Sequence, residues 1–219
     1  STQGYSSAAS DVYKRQKKYD AVAAGIGGDG GDGGNTYAYG VFGTGSSSHT
    51  AIAVDKISAS ATAGAAGSGA ALGDGVATAG DDGVAGEEAK AYGVYAAGGA
   101  VIDLSAKNSG PIKINAKAAD GTVTNEAYAV YADKGTVLFG SDAELNWDGS
   151  SGTDNTLVTG LNNGTLGFSG TSADRTVTGG KLQLTGSNAF RFTTDLANNK
   201  ADSMTFDTIE NNSSKQYIQ

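Results

Sequence analysis

Two aspartates stand side by side, Asp81-Asp82, between Gly80 and Gly83. Paired carboxyls are what inverting glycoside hydrolysis uses, one protonated and one ionised across the bond to be cut. The bland alternative is a solvated turn in a glycine-rich loop. A second acidic feature is the run Gly27-Gly28-Asp29-Gly30-Gly31-Asp32-Gly33-Gly34. Its carboxylates suit calcium, which takes six to eight oxygens. However, the run occurs once, its period is three rather than nine, and no large apolar residue recurs in it. It reads better as a flexible loop. His49 is the only histidine and there is no cysteine. These counts exclude disulfides, cysteine-ligated metals and a histidine-rich metal site, and any serine triad would have to use His49. Gly67-Ser68-Gly69 would need glycine at position 72 for a dinucleotide loop, where Leu72 stands. No residue is assigned a catalytic, cofactor-binding or metal-binding role, and no cofactor is expected.

The most regular feature is aromatic. Ala38-Tyr39-Gly40-Val41-Phe42 recurs as Ala91-Tyr92-Gly93-Val94-Tyr95 and as Ala127-Tyr128-Ala129-Val130-Tyr131. Either Tyr39, Tyr92 and Tyr128 stack as a structural ladder, or they present a strip for ligand rings. The second aromatic set, Phe42, Tyr95 and Tyr131, is offset by three residues. On a strand, one of the two sets must face out or sit at a corner.

The elements that position these residues are strands. Ile102 and Leu104 flank Asp103, Ile112 and Ile114 flank Lys113, and Leu145 and Trp147 flank Asn146. The same alternation runs through Leu182/Leu184, Phe190/Phe192 and Met204/Phe206. Period two is strand periodicity, and Gly, Asn, Asp and Ser supply the turns between. Residues 21–34 and 62–86 bury little apolar area against the cost of ordering glycine, and read as long loops or extruded excursions. Removing most of the second brings the 53- and 36-residue tyrosine spacings close together. Repeats with insertions on loops indicate a solenoid, here a parallel β-helix of eight or nine coils of roughly 20–25 residues. A sandwich with hairpins at Asp120-Gly121, Asp148-Gly149 and Asn163-Gly164 is the competing all-β architecture.

The 219 residues include 35 Gly and one Pro, with net charge −8 and 38% hydrophobic content. That apolar share is thin for a compact enzyme, and a stacked solenoid core tolerates it. The acidic balance argues against nucleic acid and against a polybasic membrane anchor. No stretch approaches the roughly 20 apolar residues of a membrane helix.

The tyrosine repeat, set in Gly/Ala/Ser/Thr/Asp/Asn-rich sequence, resembles passenger domains of autotransporter adhesins of Gram-negative bacteria. Residues 180–206, opening Gly180-Lys181-Leu182-Gln183-Leu184 and including Phe190-Arg191-Phe192 and Met204-Thr205-Phe206, resemble the late rungs of a pertactin-like passenger. The resemblance implies a single-stranded right-handed parallel β-helix over 17–219, with late rungs at about 180–219. It implies a non-enzymatic adhesin exported through the outer membrane to the cell surface. Its partners would be its own C-terminal translocator β-barrel and a ligand on a host or neighbouring cell or in matrix. Phe190, Phe192, Leu196, Met204 and Phe206 would form the apolar stack of the late rungs. The runner-up is a β-helical polysaccharide-degrading enzyme of polygalacturonase type. The chain lacks that family's Asn-Thr-Asp, Gly-His-Gly and Arg-Ile-Lys segments. A purely structural repeat protein is a third reading. Residues 6–16 resemble the translation of a transposase adaptor used in DNA sequencing libraries. Residues 1–16 are therefore set aside from fold reasoning, and residue 17 is expected to be interior to a longer protein.

Overall fold

The computed structural model describes residues 25–26, 28–71, 76–145 and 158–219. The set-aside segment 1–16, Trp147 and the turn at Asp148-Gly149 lie outside these residues. Every regular element described is a strand. Thirteen strands make one sheet that curls until it nearly closes, and all its strand pairings are parallel.

The sheet resolves into three ladders that the chain visits in turn. The first stacks β2 (Thr36–Thr44), β6 (Glu88–Ala97), β9 (Thr124–Asp133) and β12 (Val158–Asn162). The second stacks β3 (His49–Ala53), β7 (Val101–Ser105), β10 (Thr136–Phe139) and β13 (Thr165–Phe168). The third stacks β4 (Lys56–Thr62), β8 (Ile112–Ala119) and β11 (Ala143–Leu145). Two long strands, β14 (Thr176–Arg191) and β17 (Ser203–Ile218), then run across all three ladders. Outside the sheet, β1 (Gly25–Ile26) pairs with β5 (Val76–Thr78), and β15 (Thr194–Asp195) pairs with β16 (Lys200–Ala201).

This is a solenoid-like stack in which sequence-distant equivalents become neighbours. Tyr39 pairs with Tyr92 and Tyr92 with Tyr128, so the repeat sets the register. The described residues form six levels in the first ladder rather than eight or nine. Successive levels there are 53 residues apart at Thr36 and Ala89 and only 23 apart at Leu161 and Leu184. The excursions between strands lengthen the early coils. The sandwich expectation fails at both of its described turns. Asn163-Gly164 joins β12 to β13, and Asp120-Gly121 joins β8 to β9, yet neither pair of strands is bonded together. Asn163 instead turns a corner at φ 51°, and Gly45, Gly98, Lys134 and Gly186 turn the same corner on other levels with positive φ. Each of the first four donates its N–H to the next level, as from Gly98 to the Asp133 carbonyl at 3.0 Å and Asn163 to Thr185 at 3.0 Å.

The interior is columns of alternating strand residues. Ile102, Val137 and Leu166 lie in one, and Leu104, Phe139 and Phe168 in the next, all fully buried. Complete burial of such a side chain contributes roughly 1.5–3 kcal/mol. Phe190, Phe192, Met204 and Phe206 pack against this core as the late-rung pattern suggests. Leu196 does not: it is 91% exposed, between β15 and β16. One charged pair is buried beside the aromatic column. Arg175 donates from Nε and Nη2 to the two carboxylate oxygens of Asp202 at 3.0 and 2.9 Å. Its Nη1 donates to the carbonyls of Phe139 and Ser169, and the guanidinium lies 5.0 Å from the Phe168 ring centroid. The Arg175 and Thr193 amides also donate to Asp202.

The glycine-rich segments are excursions from the ladders, but they are regular. Residues 28–34 run inward to β2, residues 64–70 run outward from β4, and residues 80–86 run inward to β6. Gly30 and Gly33 donate to the carbonyls of Asp81 and Val84 at 2.8 and 2.7 Å. Gly80, Gly83 and Gly86 donate to Ala70, Gly67 and Gly64. Gly64, Gly67 and Ala70 close the ring by donating to Gly34, Gly31 and Gly28. Every third residue bonds, and the donors pass cyclically around three segments. Three residues per turn without internal hydrogen bonds is polyproline II periodicity, and glycine every third residue is what a crowded axis of such chains requires. A Cβ added at Gly33 would lie 2.1 Å from the Gly64 carbonyl oxygen, and one at Gly83 would lie 2.1 Å from that of Gly31. At Gly31 and Gly34 it would meet nothing within 4 Å. The flexible-loop expectation for 27–34 is thereby corrected for the described residues 28–34.

Candidate functional site

The exposed face of the first ladder carries two columns of rings. Tyr39, Tyr92 and Tyr128 stack at centroid distances of 5.2 and 5.4 Å, with planes within 8°. Phe42, Tyr95 and Tyr131 stack at 5.4 and 5.5 Å, with planes within 17°. The columns meet edge-on along β6 and β9, at 5.0 Å for Tyr92 and Tyr95 and 4.8 Å for Tyr128 and Tyr131, and tilted along β2, at 5.3 Å for Tyr39 and Phe42. Both sets therefore face outward, where strict alternation placed one outside and one elsewhere. The reason is the middle of the repeat. Gly93 and Val94 are consecutive and both buried, so alternation skips a step between Tyr92 and Tyr95. A Cβ at Gly93 would lie 2.5 Å from Cγ2 of Ile114, and one at Gly40 would lie 2.5 Å from Cγ2 of Ile57. On the third level Ala129 and Val130 are likewise consecutive and fully buried, so it is the pair of adjacent inward residues that brings both aromatics out.

The strip has distinct ends. At one, the Tyr131 and Tyr128 rings cover the buried Gly160 of β12, where a Cβ would lie 2.5 Å from Tyr131 Cδ2 and 3.0 Å from Tyr128 Cε1. Beyond it the same face carries the Lys181–Glu210 ion pair. At the other end, Tyr39 and Phe42 are 46% and 54% exposed. Along one margin Tyr37 donates to Glu88, and Lys90 lies 3.3 Å from Glu88 and 3.9 Å from Glu126. Burial pushes the Tyr128 phenol up to about 12, and the Glu126 carboxylate adds to it. Tyr92 is raised by the same two causes, and Tyr95 and Tyr131 by burial and then by Asp133. Tyr92, Tyr95, Tyr128 and Tyr131 thus present neutral phenols at physiological pH. The strip can stack against flat apolar faces and exchange hydrogen bonds through its hydroxyl groups.

The other sequence candidates lie elsewhere. Asp81 and Asp82 sit on the glycine bundle. Asp82 Oδ1 accepts the Gly69 N–H at 2.8 Å, and the Asp81 N–H donates to Asp29 Oδ1 at 3.0 Å. Asp29, Asp32 and Asn35 form a period-three row whose side chains accept N–H groups of residues 81, 84 and 87. The carboxylates of Asp29, Asp32 and Asp82 act as acceptors for the bundle backbone. Among the described residues no cluster of three or more His, Asp or Glu is arranged to hold a metal ion. His49 is exposed at the start of β3, in register with Val101. Sequence reasoning missed the Arg175–Asp202 pair, because its members are 27 residues apart with no repeat linking them.

No family model, curated protein or solved structure matches this chain.

Proposed function

We propose that this chain is a non-catalytic extracellular binding protein, a passenger fragment of an autotransporter-type adhesin. Its ladders are read as a single-stranded right-handed parallel β-helix, with residues 180–219 as the late rungs. The supporting observation is the exposed strip in which three consecutive levels repeat the same two aromatic positions. A repeated face gives many weak contacts along one axis, and display of many copies multiplies them. The partner is a ligand on a host or neighbouring cell or in matrix. A translocator β-barrel would carry the passenger to the cell surface. The engagement of the Asp82 carboxylate by the bundle backbone weighs against the polysaccharide-cleaving alternative.

The test is adhesion of purified protein to cells and matrix. Replacing Tyr39, Phe42 and Tyr95 together by Ser should abolish binding while the fold, followed by circular dichroism, persists. Unchanged binding by the triple variant would remove the strip as the site. Cleavage of a polysaccharide that Asp82→Asn abolishes would replace the adhesin reading with the enzyme.

A further inference from the structure

Three stacked tyrosine pairs bridge levels of the first ladder: Tyr39–Tyr92, Tyr92–Tyr128 and Tyr95–Tyr131. Their centroids are 5.2, 5.4 and 5.5 Å apart, with planes within 13°. Strand register puts each ring over its equivalent, so the ring carbons beside each hydroxyl neighbour their counterparts on the next level. The phenol end is the distal end of each side chain, on the outward face. The chain has no cysteine, so disulfides cannot join its levels. We propose that this strip is an oxidative cross-linking site, at which a haem peroxidase with hydrogen peroxide couples neighbouring tyrosines into dityrosine.

The chemistry balances. Each phenol gives one electron and one proton to the peroxide-oxidised haem, leaving a phenoxyl radical. Two radicals on adjacent levels form one carbon–carbon bond at the positions ortho to their oxygens. The two ortho hydrogens then move to the oxygens and both rings regain aromaticity. Two tyrosines and one hydrogen peroxide yield one dityrosine and two waters. Phe42 has no hydroxyl, so Tyr95 has one stacked partner across levels, Tyr131. A Tyr95–Tyr131 or Tyr92–Tyr128 bond closes a 36-residue loop, which restricts the unfolded chain as a disulfide would. The reaction requires only the ring geometry, so it stands apart from the adhesion reading.

The experiment treats dilute protein with horseradish-type peroxidase and hydrogen peroxide, then maps the links by mass spectrometry. The expected product is a monomer lighter by two hydrogens per link. Tyr95 is joined to Tyr131, Tyr92 is joined to Tyr39 or Tyr128, and the melting midpoint is raised. Tyr95→Phe keeps the ring and should delete the second-column link alone. Tyr92→Phe should delete the first-column links alone. Three results overturn the proposal: links only between molecules, links confined to pairs within one strand such as Tyr92–Tyr95, or unchanged link maps in both phenylalanine variants.

Discussion

The glycine bundle grows from the first two levels of the solenoid and the tyrosine ladder spans the first three, and they are held together by opposite means. In the bundle, residues 28–34, 64–70 and 80–86 bond backbone to backbone around a centre where a side chain would overlap a carbonyl. In the ladder, strand pairing is supplemented by side chains, with each ring stacked on its equivalent. The bundle depends on the absence of Cβ atoms and the ladder on the presence of aromatic rings. The same chain therefore uses both extremes of side-chain size within about fifty residues, each where its geometry demands it.

The largest expected effect calibrates the comparison from outside both regions. Arg175→Met leaves Asp202 buried without its cation, and breaking a buried pair this way costs about 3–5 kcal/mol. The last levels should loosen in thermal melts, while amide protection in the bundle, 90 residues away in sequence, stays. Acid offers a second handle on this pair. Burial alone would raise the Asp202 carboxyl, but hydrogen bonds from Arg175 and Thr193 and the guanidinium charge hold it below its ordinary 3.8. Its stabilisation is full above that value and is lost as pH falls through the lower folded value. Acid titration of the wild type and of Asp202→Asn should therefore diverge above pH 3.8 and converge below it.

Within the bundle, Gly33→Val forces a side chain against the Gly64 carbonyl and should cost ~1–3 kcal/mol, as overpacking does. Gly31→Ala, two residues earlier, meets open space and should change stability by less than ~0.5 kcal/mol. Equal effects from the two would erase the distinction between inward and outward glycines. Within the ladder, Tyr92→Ser removes two stacked pairs, each contributing ~0.5–1.5 kcal/mol beyond burial. Alkali should find the same residues. Tyr92 and Tyr128 have folded values above the ordinary 10.0. The stability they carry is full below pH 10 and is lost as pH climbs through the raised values, so alkaline melts should steepen there. Tyr92→Phe should flatten that dependence.

The sequence repeat alone predicts the register of Tyr39, Tyr92 and Tyr128, because identical positions stack in any solenoid. Period-two alternation likewise predicts the buried pairs Ile102/Leu104 and Leu182/Leu184. The outward turn of both aromatic sets is not readable from alternation. It depends on two adjacent inward residues in the middle of the repeat, Gly93-Val94 and Ala129-Val130, which make the alternation skip a step. The bundle left a visible mark, the period of three in Gly27–Gly34. With strand and helix periods as the only templates, glycine at that spacing reads as loop, and the partners 64–70 and 80–86 lie far along the chain. Asn163-Gly164 shows the same limit, since one dipeptide serves a hairpin or a left-handed corner, and only the neighbouring levels decide. Leu196 follows its apolar type in sequence and leaves the core in the fold because β15 and β16 project it outward.

Residue-resolved hydrogen exchange under native conditions tests the central contrast most directly. The account predicts slow amides at Gly30, Gly33, Gly64, Gly67, Gly80 and Gly83, which donate around the backbone ring, and at Gly69, Asp81 and Val84, which donate to aspartate side chains, with fast ones at Gly31 and Gly34, beside slow amides through β6 and β9. Unprotected exchange at every amide of 28–34, 64–70 and 80–86, with β6 and β9 still protected, would contradict it and return those segments to flexible loops.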